Sequence, residues 1–309
     1  MAQENGHLFG SGHTACAGCG QAIAARLVVD VTGKNTIIAN NTGCLEVFST
    51  KYPESAWGVP WIHSLFENAA AVASGIEVAL KYLGQKENTH VICQAGDGGT
   101  ADIGLQALSG MWERGHDILS ICYDNEAYMN TGVQRSGLTP FETSTSTTPI
   151  GKLSLGNPRP KKPMPEIAVA HGLVYVATAS AGYPQDIQKK IKKAISLKGP
   201  KYIQIHVPCP LGWRHDSQLT YDIGKLAVET GLYPLVEYEN GKLTSVRKLT
   251  KIKPVEEYLK FQGRFKHIMS SPELIKQIQA VADYNIERYG LKMEVAASAA
   301  VPVTSQPKA

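Results

Sequence analysis

The chain has 309 residues, 43% of them hydrophobic and 19% charged, with a formal charge of +4. That is the make-up of a globular protein with a substantial core, and the charge is too small, with no Lys/Arg run, to suggest a nucleic-acid partner. No stretch reaches the roughly 18 consecutive apolar residues of a membrane span, and residues 1–13 lack a signal peptide's apolar core, so a cytoplasmic protein with no membrane contact is expected.

In chain order, residues 10–20 form a turn rich in glycine and cysteine, and residues 21–31 read as a helix with an apolar face. A short strand at 35–39 runs into the polar loop Asn40-Asn41-Thr42-Gly43-Cys44. The alanine-rich residues 66–83 suit a helix packed closely on a sheet. Strands at 90–94 and 118–123 flank an amphipathic helix at 102–114, with Gly115 as its C-cap. Ala95-Gly96-Asp97-Gly98-Gly99 follows the first of these strands, and Tyr123-Asp124-Asn125-Glu126-Ala127-Tyr128-Met129-Asn130 ends the second.

Residues 138–165 have no periodicity. Most connections run to about 4–6 residues, so a coil of this length beside the strand–helix–strand unit suits a cofactor-covering or interface loop. A helix at 164–171, a strand at 174–178, a basic-faced helix at 183–198 and a strand at 201–207 follow, the last stopped by Pro208-Cys209-Pro210. Beyond Trp213 the pattern changes to a hairpin at 234–246 around Asn240-Gly241, then helices at 254–261 and 271–289, the second with Ser271 as cap and Pro272 in first position. The expected division is a ligand-binding α/β domain at 1–213, a small C-terminal extension at 214–292 and a disordered tail at 293–309.

Asp97 and Asn125, 28 residues apart, are separated by one strand-to-strand crossover, so both fall at adjacent carboxyl ends of parallel strands, where open α/β sheets bind ligands. A carboxylate, an amide oxygen and a nearby backbone carbonyl suit Mg²⁺, which is commonly held by one or two carboxylates plus substrate phosphates. Gly96, Gly98 and Gly99 let backbone amides approach a diphosphate, with a helix N-terminus behind them. Gly-Asp-Gly alone often marks only a tight turn. With this topology and spacing it resembles the thiamine diphosphate motif, although Asp124 stands where that motif usually has a first Asn.

In a reducing compartment the six cysteines are expected to be ligands or buried thiols. Cys16, Cys19, Cys44 and Cys209 all fall in loops of one α/β layer, and four such thiolates suit either Zn²⁺ or an iron–sulfur cluster. Cys93 and Cys122 lie inside apolar strands and read as small hydrophobes. His13, His63 and His206 read as structural histidines, and Arg114 as a solvated residue.

Ala15-Cys16-Ala17-Gly18-Cys19-Gly20, Thr42-Gly43-Cys44, Gly96-Asp97-Gly98-Gly99, the segment from Asp124 to Gly132 and Val207-Pro208-Cys209-Pro210 occur in one order. In that order they resemble the β subunits of the 2-oxoacid:ferredoxin oxidoreductase family, leaning towards the pyruvate synthase branch. Trp61-Ile62-His63, Phe66-Glu67-Asn68-Ala69, Lys161-Lys162-Pro163-Met164-Pro165 and Gly263-Arg264-Phe265 share the resemblance, which covers roughly residues 8–270. It implies a thiamine diphosphate-binding fold, a mostly parallel sheet flanked by helices, with a small C-terminal extension.

The resemblance also implies that Cys16, Cys19, Cys44 and Cys209 ligate a 4Fe–4S cluster, and that Asp97, Asn125 and the Ala127 backbone oxygen hold Mg²⁺. Gln21, Cys44, Gly96, Asp97, Gly98, Gly99, Asn125, Glu126, Ala127, Tyr128, Met129 and Asn130 would line thiamine diphosphate. Asn130 would serve catalysis by donating to charge that develops on the substrate. The implied reaction is oxidative decarboxylation of pyruvate with coenzyme A to acetyl-CoA and CO₂, with electrons passing to ferredoxin. An α subunit would supply the activating Glu and much of the 2-oxoacid pocket, beside γ and ferredoxin-like δ subunits. The rival readings are a sister enzyme for oxalate, 2-oxoglutarate or another 2-oxoacid, and a zinc-stabilised scaffold subunit without chemistry.

Overall fold

Strand residues here send alternate side chains to opposite faces, so apolar runs build a sheet with a core on each side. In the computed structural model, which describes residues 6–51 and 53–293, the strands are β1 (Thr36–Asn40), β2 (Trp61–His63), β3 (His90–Gly96), β4 (Leu119–Asp124), β5 (Tyr175–Ser180), β6 (Lys201–His206), β7 (Val236–Glu239) and β8 (Lys242–Val246). They form one sheet in the order β2-β1-β3-β4-β6-β5-β7-β8. The first six are parallel, and the β7–β8 hairpin adds antiparallel at the β5 edge. Ile92, Leu119, Ile121 and Tyr123 face one core, and Val91, Cys93 and Cys122 face the other.

Helices α1 (Gly20–Thr32), α2 (Cys44–Ser49) and α7 (Pro184–Ser196) cover the first face. Helices α3 (Ala69–Tyr82), α5 (Leu105–Glu113) and α6 (Met164–Ala170) cover the second. A third apolar cluster joins α9 (Thr220–Glu229), α10 (Glu256–Leu259) and α11 (Pro272–Arg288) to Trp213 at the end of α8 (Pro210–Trp213). Asn240 and Gly241 both have positive φ, 48° and 79°, as the type I′ turn expected there requires.

The helix expected at 102–114 is present as α5, beginning only at Leu105, and a separate short helix, α4 (Asp97–Ala101), precedes it. The break falls at Asp102, whose carboxylate is drawn into tertiary bonds: it accepts from the Gly137 amide at 2.8 Å, the Tyr128 hydroxyl at 3.2 Å and Lys162 at 3.2 Å. The coil at 138–165 is fastened by Asn157, whose amide donates to the carbonyls of Thr139, Pro140 and Arg159. Among the described residues no helix is long and apolar enough to cross a membrane. Apart from Met293, the tail expected at 293–309 lies outside the described residues.

Candidate cofactor site

β1 and β2 run to one side of the sheet and β3 returns to the other side of β1, so the connections diverge between β1 and β3. Ligands of open α/β sheets bind beside such a point, at the carboxyl ends of the strands. Here the strand ends deliver the predicted residues to one edge: Cys44 after β1, Asp97 after β3, Asn125 after β4 and Cys209 after β6. Gln21 and the Cys16–Cys19 turn join them from α1, tied down where the Gly20 amide donates to the Pro208 carbonyl at 3.1 Å.

Asp97 opens α4 directly at the end of β3 and is buried. The Ser136 hydroxyl donates to its carboxylate. Burial, then the nearby Asp124 carboxylate, push Asp97 well above the ordinary carboxylate range, a cost that a cation beside it would remove. The Asn125 side-chain amide lies 2.9 Å from Asp97 Oδ1 and 2.8 Å from the Ala127 carbonyl oxygen. With its nitrogen toward them it donates to both. With its oxygen toward them three oxygens converge, which requires a cation among them; octahedral coordination at about 2.1 Å sets neighbouring oxygens about 3 Å apart. The residues present therefore fit Mg²⁺.

The charge balance agrees. Asp97, Asp124 and Glu126 are buried together, and among the described residues Lys161 and Arg264 are the cations paired with them. His206 beside them is neutral, burial pushing it down to about 3. Asp124, the departure from the usual motif, is compensated locally: Lys161 Nζ donates to it at 2.8 Å and the Gln204 amide at 2.7 Å.

Two neighbouring hollows open on this edge. A groove of about 40 Å³ is lined by Gly96 to Gly99, Asn125, Ala127, Tyr128, Met129 and Asn130. A cavity of about 140 Å³ is lined by Cys16, Cys19, Cys44 and Cys209. Gln21, Cys44, Asn125 and Asn130 line both and form the wall between them. Gln21 is buried there with its Oε1 unpartnered, an acceptor available to a ligand. Gly96 has open space where a Cβ would stand, whereas a Cβ on Gly98 would lie inside the Tyr128 ring.

Cys19 caps α1, and Cys209 Sγ accepts the Gly212 amide at 3.4 Å. Burial, then proximity of the other thiols, raise Cys44 to about 12; burial also raises Cys209, to about 11. A cationic centre would reverse that and bind all four as thiolates. Among the described residues, no group of three or more His, Cys, Asp or Glu side chains is drawn together as the ligand set of a single metal ion.

Glu126 does not line the groove; its carboxylate turns inward, accepting from Lys161 at 2.7 Å and Arg264 at 2.5 Å. Thr42, Gly43, Phe66 and Thr131 line the groove and were not expected. Thr42 and Gly43 were signalled by their place beside Cys44 in the loop after β1. Phe66, whose ring centroid lies 5.7 Å from that of Tyr128, was signalled only as part of a segment that shares the family resemblance.

Residues 41–205 match the family model of the thiamine pyrophosphate enzyme C-terminal TPP binding domain. The chain is 59% identical over 285 residues to the pyruvate synthase subunit PorB of Methanosarcina barkeri, covering 91% of this chain and 96% of that one. It is 49% identical over 266 residues to the ketoisovalerate oxidoreductase subunit VorB of Pyrococcus abyssi, covering 84% and 86%. A solved 2-oxoglutarate:ferredoxin oxidoreductase from Magnetococcus marinus shares the fold with a TM-score of 0.55 at 22% identity, over 93% of this chain and 89% of that one.

Fold, site and family model together define a catalytic, thiamine diphosphate-binding subunit. The chain belongs to the 2-oxoacid:ferredoxin oxidoreductase family, where it matches the PorB subunits of pyruvate synthase. Membership removes the non-catalytic scaffold from the possible readings.

Proposed function

We propose that this chain is the thiamine diphosphate-binding β subunit of a pyruvate:ferredoxin oxidoreductase, carrying Mg²⁺ and a 4Fe–4S cluster on one sheet edge. The observation that carries the reading is the Asn125 side-chain amide lying within 2.9 Å of both the Asp97 carboxylate and the Ala127 carbonyl, beside a four-cysteine cavity. When bound, thiamine diphosphate supplies the carbon nucleophile that attacks a 2-oxo carbon, and the cluster supplies a one-electron acceptor beside it.

The chain's own residues bind and orient. Asp97, Asn125 and the Ala127 carbonyl would hold the cation, and Gly96 and its neighbours would admit the diphosphate to their backbone amides. Gln21 offers its unpartnered oxygen at the wall between groove and cavity, and Asn130 projects an exposed amide there that can donate to charge on the substrate. Cys16, Cys19, Cys44 and Cys209 would ligate the cluster. Their cavity of about 140 Å³ far exceeds the roughly 10–15 Å³ that a single water needs on the same measure, room for a group larger than a lone ion.

An α subunit would close the groove and supply the activating Glu, with γ and ferredoxin-like δ subunits carrying electrons to ferredoxin. Two features support a covering partner. The groove is shallow, and α3 presents an exposed apolar face of Ala71, Gly75, Val78 and Tyr82, with Ile62 and Leu65 exposed nearby in sequence. Pyruvate is favoured over branched 2-oxoacids by the higher identity to the methanogen PorB than to VorB. Mixing the anaerobic complex with each 2-oxoacid plus coenzyme A tests this. Pyruvate should bleach the iron–sulfur absorption near 400 nm fastest; faster bleaching by 2-oxoglutarate or a branched 2-oxoacid would reassign the substrate.

A further inference from the structure

Glu126 touches neither hollow, yet it is the most constrained residue of the turn after β4. Its φ is 68°, in the left-handed region that side-chain-bearing residues avoid, and its carboxylate is buried. We infer that Glu126 is the positioning residue of the metal-ligand turn: clamped between Lys161 of the coil and Arg264 of the C-terminal extension, it holds residues 125–127 so that the Asn125 amide and the Ala127 carbonyl face Asp97. This rests on the metal site proposed above.

The hydrogen bonds of the turn carry the inference. Trp213 Nε1 donates to the Asn125 carbonyl at 2.8 Å. The Glu126 amide donates to Asp124 at 3.2 Å, the Thr139 hydroxyl donates to the Glu126 carbonyl at 2.7 Å, and the Tyr128 amide donates to the Gln134 carbonyl at 2.9 Å. Among the described residues, the Ala127 carbonyl has no donor other than the Asn125 amide. The left-handed reversal at Glu126 thus leaves the Ala127 carbonyl to the Asn125 side chain, which also lies 2.9 Å from Asp97.

Arg264 also lies over the Trp213 ring at 3.7 Å, and its Nε donates to Gln262 at 2.9 Å, so the clamp and the anchor of the Asn125 carbonyl are one unit. A buried ion pair adds little net stability over apolar side chains of similar volume. What it adds here is geometry, since two fixed cations determine where the Glu126 backbone can sit.

The test uses the complete complex, with Mn²⁺ plus thiamine diphosphate as the probe and free Mn²⁺ read by electron paramagnetic resonance. Arg264→Met leaves the buried Glu126 carboxylate with Lys161 alone and should lower the melting temperature; Glu126→Gln/Arg264→Met removes both charges and should recover it. Mn²⁺ affinity should stay about tenfold or more weaker than wild type in Glu126→Gln and in the double variant, as for residues that orient metal ligands. Wild-type Mn²⁺ affinity in either folded variant overturns the inference, as does affinity that recovers in step with the melting temperature. If the double variant does not fold, Glu126→Gln alone decides. Asp97→Ala in the same assay separates the two readings. If it retains Mn²⁺ and thiamine diphosphate, the metal site itself is wrong; if it loses them while the Glu126 variants do not, only the role of Glu126 fails.

Discussion

Asp97 and Asn125 were legible because their chemistry and the distance between them both survive in one dimension: a carboxylate and an amide one crossover apart. The inward turn of the Glu126 carboxylate was not legible, for the opposite reason. Glu126 sits between two ligand positions, and only its positive φ and its partners 35 and 138 residues away reveal that it faces inward. Ser136, Lys161 and Arg264 meet the site only through tertiary structure, so no spacing announces them. The cysteines divide as their neighbours suggested, Cys93 and Cys122 buried in strands and the other four around one cavity. Cys209→Ser should therefore remove about four irons per chain, the content of one cluster, whereas Cys93→Ser should leave iron unchanged. Equal iron loss in both variants would mean that the cavity cysteines are not the ligands.

Among the elements, those with a strong period or a clear stop were readable, including α1, α3, β3, β4, α7, β6 and α11. The short α2 and β2 were not, nor was α9, and the break between α4 and α5 depends on Asp102 finding partners on Tyr128, Gly137 and Lys162. At the opposite end of the sheet, Asp117 at the entry to β4 binds Lys201 on β6 and Lys86 at 2.7 Å, and both lysines are nearly buried. Burial alone would raise Asp117, but Lys201 and Lys86 hold it down at about 2. Since its folded pKa is depressed, its stabilisation is complete above the unfolded value of about 3.9 and is lost as pH falls through about 2. Asp117→Asn should cost about 2–4 kcal/mol at neutral pH by leaving two lysines unpaired, and its stability should fall less steeply than wild type between pH 4 and 2. Parallel acid limbs in denaturant titrations of the two proteins would exclude that role.

At the scale of the whole molecule, the parallel strands gather four strand ends into one edge, and the α1 turn, the 138–165 coil and the C-terminal extension converge there. The extension is thus tied to the site through Arg264 and Trp213, a link that its sequence character, a hairpin and helices, did not suggest. The exposed apolar face of α3 and the shallow groove fit a subunit whose cofactor is enclosed only on assembly. The most direct test is the thiamine diphosphate and iron content of the anaerobic complex carrying Asp97→Ala. Loss of thiamine diphosphate with wild-type iron is the predicted result; thiamine diphosphate at wild-type occupancy would contradict the assignment of this sheet edge as its anchor.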